Sequence, residues 1–135
     1  MIITLTTAGL CGLILLVLSV RVSMVRGSAK VSLGDGGDPL LLSRIRAQAN
    51  FVEYVPFILI LMGMIEASTA ADPRPNLTLG LLGIALVICR VAHAWGMGRP
   101  APNPGRMVGT AGTFIILIVT SVWALVISAH LHHLF

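Results

Sequence analysis

The chain has 135 residues, 56% of them hydrophobic and 10% charged. That excludes a soluble domain, which needs far more surface charge, and an aromatic share of 5% excludes a β-barrel with aromatic girdles. The net charge of +4 comes without a long basic tract, so nucleic acid is excluded as a partner and the cations are left to set membrane topology.

A helix needs about 20 mostly apolar residues to span a bilayer. Ile2 to Val20 is uncharged, and the run predicts a first helix over residues 2–26. It has no basic segment before it and no small-residue cleavage site after it, so it reads as a retained helix and not a signal peptide. The run SLGDGGDP at 32–39 is dense in helix breakers and predicts a polar loop. The second helix is expected over 43–70, with Arg46, Asn50, Glu53 and Glu66 among apolar neighbours. Asp72-Pro-Arg-Pro-Asn76 reads as a short turn. A third helix over 77–98 carries Arg90 and His93, and Arg99 to Gly105 holds the next breaker, rich in proline. The fourth helix, over 107–131, is uncharged from Met107 to Ala129. The predicted fold is therefore a single all-α integral membrane domain over 1–135, a bundle of four transmembrane helices.

Arg21, Arg26, Lys30, Arg44 and Arg46 flank the first loop, Arg90, Arg99 and Arg106 flank the third, and Arg74 alone belongs to the second. Positive charge marks the cytoplasmic side, so loops one and three are expected there and both termini opposite. Gly80 with Gly83, and Gly109 with Gly112, are small-residue pairs suited to close helix approach. Cys11 and Cys89 lie in apolar runs and read as small buried hydrophobes. No metal site is expected: His130, His132 and His133 form one terminal cluster without acids or cysteine.

Charge inside a membrane helix costs at least ~2.5 kcal/mol at the bilayer centre and needs a reason. Arg46, Asn50 and Glu53, spaced i, i+4, i+7, fall within about 60° on one helix face. Arg46 and Glu53 are then about 10 Å apart, too far to pair. The face offers a cation, an amide and an anion in a row, suited to an extended zwitterion. The structural alternative is that Glu53 pairs with Arg90 to join two helices while Arg46 reaches the membrane surface. Arg90 is the residue most expected to be structural, since a guanidinium satisfies several acceptors. His93 and Met97 share its face and read first as packing. Arg106 is either a topological anchor or a cation placed to stabilise a thiolate.

The stretch Arg46-Ala-Gln-Ala-Asn-Phe-Val-Glu-Tyr-Val-Pro56 resembles the second-helix motif of the MAPEG family, membrane-associated proteins in eicosanoid and glutathione metabolism. The pattern is similar to that of the leukotriene synthase branch, and Arg90-Val-Ala-His93 is similar to a third-helix segment of the microsomal prostaglandin E synthase branch. The resemblance implies a homotrimer of four-helix protomers, with glutathione as cosubstrate bound between protomers near the cytoplasmic side. By that resemblance Arg46 holds a glutathione carboxylate, Gln48 and Asn50 bond its peptide groups, Glu53 meets its ammonium and Tyr54 adds a polar contact. Arg90 and His93 belong to the same network, and Arg106 is the catalytic residue near the sulfur. The departures are His93 in place of a tyrosine of the leukotriene branch, Met97 in place of a tyrosine of both branches, and Thr110 near a further tyrosine position. Tyr54 is the only tyrosine in the chain.

The function expected on this basis is a glutathione-dependent transferase or peroxidase acting on a lipophilic small molecule, in contact with membrane lipids of a bacterial inner membrane. A lipid-binding protein of the same fold without conjugating activity stays open. A four-helix drug transporter is disfavoured because the first helix lacks an acidic residue.

Overall fold

The computed structural model describes residues 1–69 and 76–132, with side chains through residue 130. Four helices follow one another: α1 (Ile2–Ala29), α2 (Pro39–Ser68), α3 (Leu77–Gly96) and α4 (Pro104–His132). All four are long and apolar enough to cross a membrane. With 28, 30, 20 and 29 residues they run about 42, 45, 30 and 44 Å at 1.5 Å per residue. Only α3 is cut to the ~30 Å of a hydrocarbon core.

Two helix starts differ from the expected ones, for one reason. Asp38-Pro39 and Asn103-Pro104 were expected to break helices and instead begin them. The Asp38 carboxylate accepts from Leu40 N–H at 2.8 Å and Leu41 N–H at 3.2 Å, so α2 starts at Pro39 and not at residue 43. Asn103 Oδ1 accepts from Gly105 N–H at 3.0 Å, and α4 starts at Pro104 and not at 107. Proline fits the first helical position because its missing N–H would be unpaired there in any case. α1 runs three residues past the expected end and stops where Lys30 turns into the left-handed region at φ 54°. α3 stops at Gly96, two residues early. The expected end of the second helix at Ala70, the turn from Asp72, and His133 lie outside the described residues.

The helices pack in the ring order α1, α2, α4, α3, with α2 and α3 also touching across the short diagonal. α2 is the most central: Leu41, Phe51, Val55, Ile58, Met62 and Ile65 are all buried along one stripe. The outer surface is apolar, with Leu13, Met24, Ile84, Ile118 and Leu125 each at least 60% exposed. An apolar exterior of this extent calls for lipid or another protein surface against it.

Small residues set the helix spacing. A Cβ on Gly109 would stand 2.6 Å from the Cys89 carbonyl, and one on Gly112 would collide with the Cys89 sulfur, so α4 lies directly on α3. Gly83 faces Thr7 of α1 in the same way, whereas Gly80 meets nothing within 4 Å. Three of the four glycines singled out by spacing therefore mark contacts. The Thr7–Gly83 level also fixes the axial register: α3 ends beside the turn of α1 that carries Arg21, and α1 continues beyond it. Cys11 is buried, Cys89 is half-buried, and both are free.

At the far end, Glu66 closes the start of α1. Its carboxylate accepts from Ile3 N–H at 3.0 Å and Thr4 N–H at 2.8 Å, and lies 3.3 Å from the terminal amino group. Met1 offers no side-chain cap of its own, so the acid of α2 supplies it.

Candidate functional site

At the end of the bundle that carries loops one and three, a cavity of about 850 Å³ opens between α2, the end of α3 and the start of α4. That volume lies in the range of small-molecule sites. Each helix delivers its polar groups for a local reason. On α2 the lining follows helical spacing through Leu42, Ser43, Arg46 and Asn50. On α3 it is His93, Gly96 and Met97; on α4 it is Arg106, Thr110 and Phe114. Gly96 lies so close to the backbone of Gly105 and Arg106 that any side chain would force the helices apart. This contact brings Arg106 to the cavity wall.

Arg90 lies beneath this cavity at 2% exposure. One terminal nitrogen donates to Asn50 Oδ1 at 3.0 Å and the other to the Gly109 carbonyl at 2.8 Å. The absence of a Cβ on Gly109 lets α4 come near enough for that second bond. Arg90 thus ties α2, α3 and α4 together, the structural role expected of it. Its partners, however, are an amide and a carbonyl. The alternative in which it pairs with Glu53 is not realised: Glu53 is exposed and has no ion pair among the described residues.

Of the eight residues singled out in the sequence, the structure gathers Arg46, Asn50, His93 and Arg106 at the cavity, with Arg90 directly behind Asn50. His93 is buried at 4% exposure, and its ring makes no hydrogen bond among the described residues. Arg46 and Arg106 are exposed. Gln48 stands elsewhere within the protomer, its amide donating to Ser19 Oγ of α1 at 2.8 Å. Tyr54 lies below the cavity, its ring edge-on to Phe114 at 5.2 Å and 70°. Among the lining groups not anticipated are Ser43, whose hydroxyl donates to the Met97 carbonyl, and Phe114. Ser43 lies three residues before Arg46 on the same face, so helical spacing alone identifies it. Thr110 Oγ donates to the Arg106 carbonyl at 2.9 Å. Both hydroxyl protons in the cavity are therefore committed to backbone carbonyls. Any anion bound there must be stabilised by a guanidinium, an amide or the imidazole. Among the described residues there is no cluster of His, Cys, Asp or Glu able to hold a metal ion.

A model of the MAPEG family matches residues 4–126, which take in most of every helix and every residue named at the cavity. This chain belongs to the MAPEG family. It is also 30% identical over 118 residues to "Inner membrane protein YecN" of Escherichia coli strain K12, an alignment covering 86% of this chain and 87% of that protein. The same figures hold for the protein of that name from Escherichia coli O6:H1. The second-helix motif on which the resemblance rested lies in α2, where Arg46 and Asn50 face the cavity and Val55 faces the core. In this MAPEG protein, one helix thus presents both the polar stripe and the apolar stripe that holds the bundle.

Proposed function

We propose that this MAPEG protein is a glutathione-dependent transferase or peroxidase of the inner membrane, acting on lipophilic electrophiles or peroxides as a homotrimer. The observation that carries the reading is the convergence of Arg46, Asn50, His93 and Arg106 on one cavity that Met97, Met107 and Phe114 also line. Glutathione is an extended zwitterion with carboxylates at both ends. Arg46 clamps one carboxylate, Asn50 bonds a peptide group, and Arg106 lowers the thiol pKa by favouring the thiolate. The thiol proton leaves to solvent, and the sulfur forms a new bond to an electrophilic carbon as the leaving group departs with its electron pair. With Ser43 and Thr110 committed to carbonyls, the thiolate is stabilised by Arg106 and not by a hydroxyl.

The trimer is supported by Glu53. Its side chain is exposed about 15 Å below the level of Ser43, which lies beside the end of α3, and so near the bilayer centre. A carboxylate facing lipid there is costly, and a neighbouring protomer that brings a bound ammonium group relieves the cost. The cytoplasmic placement of loops one and three follows from their arginines and remains part of this proposal.

Calorimetric titration of glutathione into detergent-purified protein tests the reading, followed by turnover of a generic aromatic electrophile. An Arg46 clamp acts in ground and transition states alike, so Arg46→Ala weakens glutathione by roughly 10- to 150-fold, the worth of one charge-assisted bond. Arg106→Ala chiefly lowers turnover and raises the pKa of the bound thiol, read from thiolate absorbance against pH. Absence of glutathione binding overturns the reading. Binding without turnover moves the protein to a lipid-binding role, which the lack of a free hydroxyl in the cavity favours.

A further inference from the structure

A second groove lies on the opposite face of α3 from the cavity above. Its volume is about 540 Å³, and α1 and α3 form its walls, with Leu13, Val17, Val91 and Ala94 among the lining residues. At one end stand three arginines from three elements: Arg21 of α1, Arg44 of α2 and Arg99 just beyond α3. Arg99 lies over the Trp95 ring at 3.5 Å, which fixes its guanidinium at the groove mouth. None of the three has a carboxylate partner among the described residues.

We propose that this groove holds one anionic phospholipid, its headgroup phosphate on Arg21, Arg44 and Arg99 and an acyl chain along the wall from Val17 to Leu13. Three observations commit the site to lipid. The arginines are unneutralised and converge, and guanidinium forks match phosphate oxygens. The apolar wall runs on from the charges along the helix axis. From Arg21 to Leu13 it covers about 12 Å, most of the ~15 Å depth of one leaflet's hydrocarbon. A phospholipid has this order of parts, charge at the interface and chain directly below.

A second copy of the chain is a poor occupant because it is short of acids. The sequence has five acidic residues against nine basic ones. Glu66 is engaged by the start of α1, Asp38 caps α2, and Asp35 accepts from Gly37 N–H. Glu53 is one carboxylate for three cations, and Asp72 lies outside the described residues. Arg99 also borders the first cavity, so the two sites share a wall without sharing an occupant.

Native mass spectrometry tests the proposal with the full chain in mild detergent and equimolar phosphatidylglycerol and phosphatidylcholine of identical acyl chains. The expected result is selective retention of phosphatidylglycerol, each arginine contributing about a fivefold preference. R21Q/R44Q lowers that preference by roughly 25-fold. Val17→Trp fills the groove with the arginines intact and lowers retention as well. Equal adducts of the two lipids overturn the proposal, as does an unchanged preference in R21Q/R44Q. Displacement of the lipid by excess inorganic phosphate would also overturn it. So would a change in the number of chains per assembly on Val17→Trp with lipid retention unaltered, because the groove would then be a protein interface.

Discussion

Replacing Arg90 with methionine removes the two bonds that join α3 to α2 and α4 while keeping most of the buried volume. The magnitude can be bounded from both sides. A hydrogen bond from a charged donor contributes about 1.5–3 kcal/mol in water-soluble proteins. Interhelical bonds within membranes average only about 0.6 kcal/mol, with a maximum near 1.7, because the unfolded state in lipid finds other partners. Arg90 combines full burial with two short contacts, at 3.0 and 2.8 Å, so its bond to Asn50 belongs at the upper end of the membrane range. The Gly109 carbonyl loses little, because Thr113 Oγ also donates to it at 2.7 Å. Asn50 Oδ1 is left without a donor. A double-mutant cycle of Arg90→Met and Asn50→Leu isolates the pair. The expected double-mutant cost falls short of the sum of the singles by about 1–2 kcal/mol, near the membrane limit. Unfolding in mixed micelles of rising sodium dodecyl sulfate content supplies the free energies, followed by fluorescence of Trp95 and Trp123. Additivity within about 0.5 kcal/mol would refute the role assigned to Arg90.

Gly109→Ala should destabilise the bundle by about 1–3 kcal/mol in the same assay, since its Cβ meets the Cys89 carbonyl and the His93 backbone, while Gly80→Ala should be neutral or stabilising by up to ~1 kcal/mol. Equal effects at the two glycines would contradict the seam described between α3 and α4. Reporter fusions at Gly36 and after Phe135 should report opposite sides of the membrane, and a cytoplasmic C-terminus would reverse the proposed orientation. Native mass spectrometry of the wild type should show three chains; a stable monomer that still binds glutathione would remove the shared-site argument.

Hydrophobic runs and their breakers made the four spans legible, because a bilayer imposes a minimum length on every crossing. Their starts were less so. Asp38-Pro39 and Asn103-Pro104 carry the chemistry of helix N-termini, yet the same residues also end helices, and dense glycine near the first and proline near the second favoured the second meaning. In the site, the spacing of Arg46 and Asn50 gave their common face, which is a property of one helix. The partners of Arg90 depend on which helices lie across from it, and spacing within α3 contains no such information. Glu66 passed unassigned for the same reason. A signal did exist: α1 begins without an acidic or hydroxyl cap, and a lone carboxylate at the far end of the next apolar helix is at the right level to supply one.

The shortness of α3 has a consequence for how this protein meets apolar molecules. α1 overtops the end of α3 by about two turns, and the cavity opens beside that end, at the level where hydrocarbon gives way to headgroups. On the proposed function, a lipophilic substrate dissolved in the bilayer arrives at the opening by lateral diffusion, and its effective concentration is a mole fraction in lipid. Doubling the amount of lipid at fixed total solute would halve that fraction without changing the protein. Apparent affinities for hydrophobic compounds should accordingly scale with the lipid-to-protein ratio and with each compound's partition coefficient, whereas those for a water-soluble thiol should not.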